Sequence, residues 1–259
     1  MKNKPPKDIY EFAWHYWNEN RSKDPNQVYE NWLKYKHLSN FDFSDSELNR
    51  YQLIFENNKQ FIEGKKIFDI GCHMGLQSYF ALDLGASFVS GVDRATDAID
   101  FATLLLNFAG YKNHNFISAD INDTKLISVI GEDANTALLI SMFNCITNHF
   151  QVLEALNETK IETIIIYDNH KDIPNDSPAI YYSLEDMTPH PNRDEYGYGI
   201  DFTQPVHPTL MQGRPNMMWY DSVLVEHFDW TVHSYNETIN IDSHGEQRLH
   251  WCKVWTRNQ

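Results

Sequence analysis

The run Asp69-Ile70-Gly71-Cys72-His73-Met74-Gly75 joins a short apolar stretch, Lys66–Ile70, to a helix-forming stretch that begins at Leu76. Glycines that follow a buried strand let the backbone approach a ligand closely, because no Cβ stands in the way. About twenty residues further on, the next strand-type run ends at Asp93, with Arg94 after it. A carboxylate at that place can accept hydrogen bonds from both hydroxyls of a ribose. The two features together point to an adenosine-bearing ligand. A dinucleotide would need G-x-G-x-x-G, whose second glycine brings a pyrophosphate onto the helix N-terminus. From Gly71 the chain reads G-C-H-M-G-L, so the phosphate-binding spacing is missing and a phosphate-free adenosine ligand fits better. Cys72 would sit beside the ligand, and it reads as a small buried filler, since a nucleophilic thiol needs a thiolate-stabilising setting.

These residues need elements to hold them. Strand-type runs at Lys66–Ile70, Ser87–Val92, His114–Ala119, Thr136–Met142 and Glu162–Tyr167 alternate with helical runs at Leu76–Leu84, Thr96–Ala109 and Phe150–Leu156. That alternation predicts βαβ units and a parallel sheet. ETIIIY, at Glu162–Tyr167, is apolar enough to be buried on both faces. A helix near Met217–Phe228 and two alternating runs, Trp230–Ile241 and Gln247–Thr256, predict a terminal antiparallel hairpin. The expected fold is α/β: a seven-stranded, mostly parallel Rossmann-like sheet with a terminal antiparallel hairpin. Residues 1–64 read as a helical N-terminal extension or cap, with helices at Asp8–Asn20, Val28–Tyr35 and about Ser46–Phe61. Residues 65–259 read as the α/β domain that carries the ligand loop. Within it, residues 169–216 form a long proline-rich insert after the fifth strand.

The order of motifs resembles that of the class I S-adenosylmethionine-dependent methyltransferases. Their first motif is an acid, any residue, then G-x-G-x-G; Asp69, Gly71 and Gly75 match it, and His73 replaces the central glycine. Gly91-Val92-Asp93 resembles the family's ribose-binding acid. Ala119-Asp120-Ile121 resembles the pair that brackets adenine, the carboxylate on the exocyclic amine and the apolar neighbour on the ring. Ile140-Ser141-Met142-Phe143-Asn144 resembles the segment under the sulfonium, and His149 falls where the family often has a histidine. The resemblance covers about residues 60–170 and 217–256. It implies a cofactor, S-adenosyl-L-methionine (product S-adenosyl-L-homocysteine), held by Asp69, Gly71, Cys72, His73, Gly75, Asp93, Arg94, Asp120, Ile121, Ser141 and Met142.

Methyl transfer asks a protein to align a nucleophile and, for a hydroxyl or amine, to accept a proton. His149 is a candidate base, or else a cap or packing residue of its helix. Asp168 and His170, two positions apart after the fifth strand, could share a proton. With only these two ligands in view, no metal site is expected. Asn144 could hydrogen-bond substrate or simply order its turn. In the insert, Tyr181, Tyr182, His190, Arg193, Tyr196, Tyr198, His207 and Arg214 could line a lid over a polar or aromatic substrate. The alternative is a surface excursion held down by proline and tyrosine packing.

The formal charge of −15 bears on the acceptor. Such a surface repels phosphate backbones unless one face carries a compact basic patch, and Lys65-Lys66 is only a pair. A small-molecule methyl acceptor, at O or N, is therefore expected over nucleic acid. No apolar run reaches the roughly 20 residues that span a bilayer, and the polar start MKNKPPKDIYEF lacks a signal-peptide core, so a cytoplasmic enzyme is expected. Three cysteines without a CxxC spacing suggest neither disulfides nor structural zinc. Two alternatives remain: aminopropyl transfer from a related donor, and a non-catalytic cofactor-binding or partner-stabilising role.

Overall fold

The computed structural model describes residues 45–143, 146, 148–170, 177–178, 180–186, 209–241 and 247–258. The helices expected at Asp8–Asn20 and Val28–Tyr35 lie outside the described residues.

Five parallel strands form the centre: β1 (Lys66–Ile70), β2 (Phe88–Asp93), β3 (His114–Ser118), β4 (Thr136–Ile140) and β5 (Thr163–His170). The antiparallel pair β8 (Trp230–Ile241) and β9 (Gln247–Arg257) completes the sheet, with β9 beside β5. The strand order is β3-β2-β1-β4-β5-β9-β8. This is the sheet expected from the alternation of runs, and its direction of growth reverses between β1 and β4. A crevice opens at such a reversal, at the carboxyl ends of the strands, and ligands collect there.

Alternate residues of the central strands feed two cores, one on each face. Ile67, Leu138, Ile140, Ile165 and Tyr167 face one core. Phe68, Ile70, Ala137, Leu139, Ile164 and Ile166 face the other. This explains why β4 and β5 read as continuous apolar runs rather than alternating ones. On the first face lie α1 (Asp45–Ile54), α2 (Leu76–Asp83) and α3 (Thr96–Phe108), through Ile54, Phe80, Phe101 and Leu105 among others. On the second lie α4 (Thr124–Gly131), α5 (His149–Asn157) and α6 (Met217–Asp221), which runs on into a π-helical stretch at Ser222–His227. Trp230 and Trp255 anchor the hairpin in this second core. Their indole N–H groups donate to Asn157 Oδ1 at 2.8 Å and Asp221 Oδ1 at 3.0 Å, so neither buries an unmet donor.

Three departures from the sequence expectation have physical causes. The helix expected over Ser46–Phe61 stops at Ile54 and continues as a 3₁₀ stretch, Glu56–Phe61. Asn58 is fully buried, and its amide donates to the carbonyls of Leu53 and Ile54, which a straight helix would have used itself. Helix α4 was not foreseen; it is capped by Asp123, whose carboxylate accepts from the Lys125 N–H at 3.2 Å. β5 runs two residues beyond Asp168, and the insert after it holds an antiparallel pair, β6 (Ile180–Asp186) and β7 (Thr209–Pro215). Among the described residues, no helix is long and apolar enough to cross a membrane.

Candidate functional site

A cleft of about 410 Å³ lies along the carboxyl edge of the central strands, within the size range of small-molecule sites. The loop after β1 forms its floor. Gly71 and Cys72 donate their N–H groups to the carbonyl of Val92, and Gly75 closes the turn onto Cys72. Gly71, His73 and Gly75 all have positive φ, at 73°, 46° and 74°. The G-x-H-x-G spacing thus corresponds to three alternate left-handed residues, and histidine occupies the middle one. Histidine is among the side chains that enter this region most readily after glycine, at a cost of about 1 kcal/mol. The glycines are also required by their neighbours. A Cβ on Gly71 would stand 2.9 Å from Met142 Cβ, and one on Gly75 would stand 2.7 Å from Ala102 Cβ.

Asp93 ties this loop to the end of β2. One carboxylate oxygen accepts from the His73 N–H and the other from the Ala95 N–H, each at 3.0 Å. An ionised carboxylate has about four acceptor positions, so each oxygen keeps one for a ligand in the cleft, which Asp93 lines. Asp120 orders its own turn by accepting from the N–H and side-chain amide of Asn122, both at 2.9 Å. Asp120, Ile121 and Asn122 line the cleft beyond β3, and Ile140, Ser141 and Met142 line it at β4. Ser141 has a φ of 53° and donates its N–H to the carbonyl of Tyr167 on β5.

Nine of the eleven residues assigned to the cofactor by resemblance line this one cleft: Gly71, Cys72, His73, Asp93, Arg94, Asp120, Ile121, Ser141 and Met142. Gly75 and Asp69 do not. Gly75 turns the chain into α2 behind the loop. Asp69 is buried, and its carboxylate accepts from the Ser78 hydroxyl at 2.6 Å. Burial pushes the Asp69 carboxyl up to about 7; the Ser78 hydrogen bond opposes the shift and the charge of Asp93 adds to it. Its place is a brace between β1 and α2. Burial, with the charges of Asp69 and Asp93, also raises the Cys72 thiol well above its ordinary range, which keeps it unreactive.

Solved structures provide the comparison. The chain is similar to a candidate S-adenosylmethionine-dependent methyltransferase from Listeria monocytogenes, 12% identical, over 79% of this chain and 97% of that one, with a TM-score of 0.54. An S-adenosylmethionine-dependent methyltransferase from Mesorhizobium loti is also 12% identical, over 76% and 93%, at 0.52. The magnesium protoporphyrin IX methyltransferase of Synechocystis, solved with S-adenosylmethionine bound, is 11% identical over 99% and 100%, at 0.53. The chain has the class I methyltransferase fold. No protein-family model and no curated protein matches its sequence.

Within the methyltransferase fold, the expected catalytic residues fall away from the cleft. His149 is buried at the start of α5, where its Nε2 donates to the Phe143 carbonyl at 2.8 Å and its ring stacks on Phe143. This is the packing role and not the position of a base open to substrate. Asp168 is buried on β5, with the Asn169 N–H donating to it at 2.8 Å. His170 ends β5, paired with Leu249. Tyr181 lies on β6 opposite Arg214 of β7. Asn144, His190, Arg193, Tyr196, Tyr198 and His207 lie outside the described residues. Among the described residues, no group of three or more His, Cys, Asp or Glu side chains is placed to hold a metal.

Several lining residues carry no assignment from the sequence, among them Arg50, which reaches the cleft from α1. Its guanidinium carbon lies 5.1 Å from the centre of the Tyr167 ring. Burial pushes the Tyr167 hydroxyl up to about 12, and the positive charge of Arg50 pulls the other way. A lone arginine on a mixed helix carries no sequence signal. The packing of α1 against β8 and β9 is what places it here.

Proposed function

We propose that the chain binds S-adenosylmethionine in this cleft and moves its methyl group to an oxygen or nitrogen of a small molecule. The observation that carries the reading is Asp93, whose two oxygens are fixed by the backbone of the glycine loop and of the turn into α3 while it lines the cleft. A carboxylate held this way is set to take a pair of vicinal hydroxyls without reorganising. Asp120 and Ile121 would hold the adenine end, and the backbone of Gly71–Met74 with Ser141 and Met142 the amino-acid end. When bound, the sulfonium supplies an activated methyl carbon, so the protein's own share is alignment and exclusion of water. The charge of −15 without a basic patch supports a small acceptor over nucleic acid.

Calorimetry with S-adenosylhomocysteine tests the reading. Wild type should bind, and Asp93→Ala should weaken binding by roughly tenfold or more. No binding by wild type, or no effect of the substitution, would refute it. Product analysis then separates the chemistries: S-adenosylhomocysteine marks methyl transfer and methylthioadenosine marks aminopropyl transfer. A cofactor-binding role without turnover is the second reading, favoured by the placement of His149 and Asp168 off the cleft. Turnover of any acceptor by the isolated chain would eliminate it.

A further inference from the structure

Where the class I pattern has a glycine, the ligand loop carries a titratable ring. His73 holds the middle left-handed position, with a φ of 46°, and lines the cleft. Gly71 and Gly75 on either side bring no side chain, and burial keeps the proton on the Cys72 thiol well past neutral pH. His73 is therefore the loop residue whose charge changes near neutral pH, since an imidazole ordinarily takes up a proton at about pH 6.5.

Its place in the cleft is set from the sugar side. The His73 N–H donates to Asp93 Oδ2 at 3.0 Å, beside the acceptor positions left for a ribose. The loop follows β1, which lies between β2, ending at Asp93, and β4, leading to Ser141 and Met142. In both the methyl donor and the spent product, a single carbon joins the sulfur to the sugar ring. A nucleoside with its sugar at Asp93 and its amino-acid end at β4 thus carries its sulfur across the loop that His73 centres. That sulfur is also where the two molecules differ: it is a sulfonium in S-adenosylmethionine and a neutral thioether in S-adenosylhomocysteine.

We propose that His73 is a specificity-determining residue whose ring, once protonated, repels the sulfonium, so that the choice between methyl donor and spent product depends on pH. The inference rests on the cofactor reading above and adds a regulation of that same site. In mild acid the site holds product at the expense of donor; toward neutral pH the ring loses its charge and the donor regains ground. Other charges face the same cleft among the described residues. Asp93 and Asp120 are acidic, and Arg94 and Arg50 bring guanidinium groups, which do not titrate in this range. Asp69, buried behind the loop with its carboxyl pushed up to about 7, becomes negative as pH rises. That charge favours the sulfonium in the same direction as loss of the His73 proton, so the two are separated by variants that leave Asp69 in place.

The test is the ratio of two dissociation constants, S-adenosylmethionine over S-adenosylhomocysteine, measured by calorimetry at about pH 5 and about pH 7, on either side of the histidine range. His73→Asn removes the titrating ring and keeps a residue that tolerates the left-handed backbone. His73→Gly restores the class I pattern and serves as a second variant. In wild type the ratio should rise by roughly three- to sixfold on going to the lower pH. In both variants the rise should be smaller by about twofold or more. Binding of S-adenosylhomocysteine shows that each variant is folded. A rise in the variants that matches wild type to within less than about twofold overturns the role of His73 and leaves the cofactor reading standing. Failure of wild type to bind either compound sinks both.

Discussion

Gly75→Ala isolates the contact that seats the glycine loop on α3. The substitution has two separable effects. A left-handed φ of 74° is strained for alanine by roughly 1–2 kcal/mol, while the stiffer unfolded chain returns roughly 0.4–1 kcal/mol. The new methyl would also lie 2.7 Å from Ala102 Cβ and 3.1 Å from Ala102 Cα, on a fully buried helix position. Such overpacking costs about 1–3 kcal/mol. Gly64 supplies the control: its φ is 73°, and a Cβ there would meet nothing within 4 Å. Gly64→Ala should therefore cost at most about 1.6 kcal/mol, and Gly75→Ala about 2 kcal/mol more. Urea denaturation of both variants gives the difference directly, and Gly110→Ala, with a φ of 90° and open space around it, repeats the control. Gly75→Ala/Ala102→Gly should recover part of the loss, since the two methyls then no longer meet. If Gly75→Ala and Gly64→Ala agree within about 0.5 kcal/mol, the loop is not seated on Ala102 and the packing argument fails.

Two further predictions follow from the same loop. Asp69 has a folded carboxyl near 7, above its unfolded value of about 4. A raised folded pKa stabilises most below the unfolded value, and that stability is lost as pH climbs toward 7. Relative to Asp69→Asn, wild type should therefore lose up to about 4 kcal/mol between pH 4 and 7; parallel pH–stability curves for the two proteins would rule the buried carboxyl out. At position 73, His73→Gly trades roughly 1 kcal/mol of backbone strain against a similar gain in unfolded-chain freedom and should be nearly neutral in chemical denaturation. His73→Val should cost about 1–2 kcal/mol, and equal stability of the two variants would contradict the left-handed backbone there.

Much of the sheet was readable because its signal is local. ETIIIY and TALLI have no alternation to confuse with a surface strand, and their burial on both faces is what such runs describe. The glycine loop, Asp93 and Asp120 were readable because each follows a strand directly. What was not readable depends on contacts between distant segments. His149 invites a catalytic reading by type and position, yet its ring nitrogen is committed to the Phe143 carbonyl. Arg50 gives no hint in the chain and becomes a site residue only where α1 crosses the sheet. Asn58 reads as one more helical residue, and only its burial against Cys252 shows that it ends the helix. Helix α4 had a usable signal, Asp123 ahead of Leu126, Ile127 and Ile130. Its short length let it pass for part of a loop.

The positive φ at His73 also bears on how this loop drifts over generations. In the genetic code a histidine codon becomes an asparagine or an aspartate codon by one base change, while glycine needs two. All three tolerate the left-handed backbone that position 73 adopts. Relatives of this chain should therefore wander among His, Asn and Asp at that site, reach glycine by way of aspartate, and shun valine, isoleucine and threonine. A lineage that abandoned the middle glycine would return to it through aspartate, one base change at a time, whatever acceptor it came to serve.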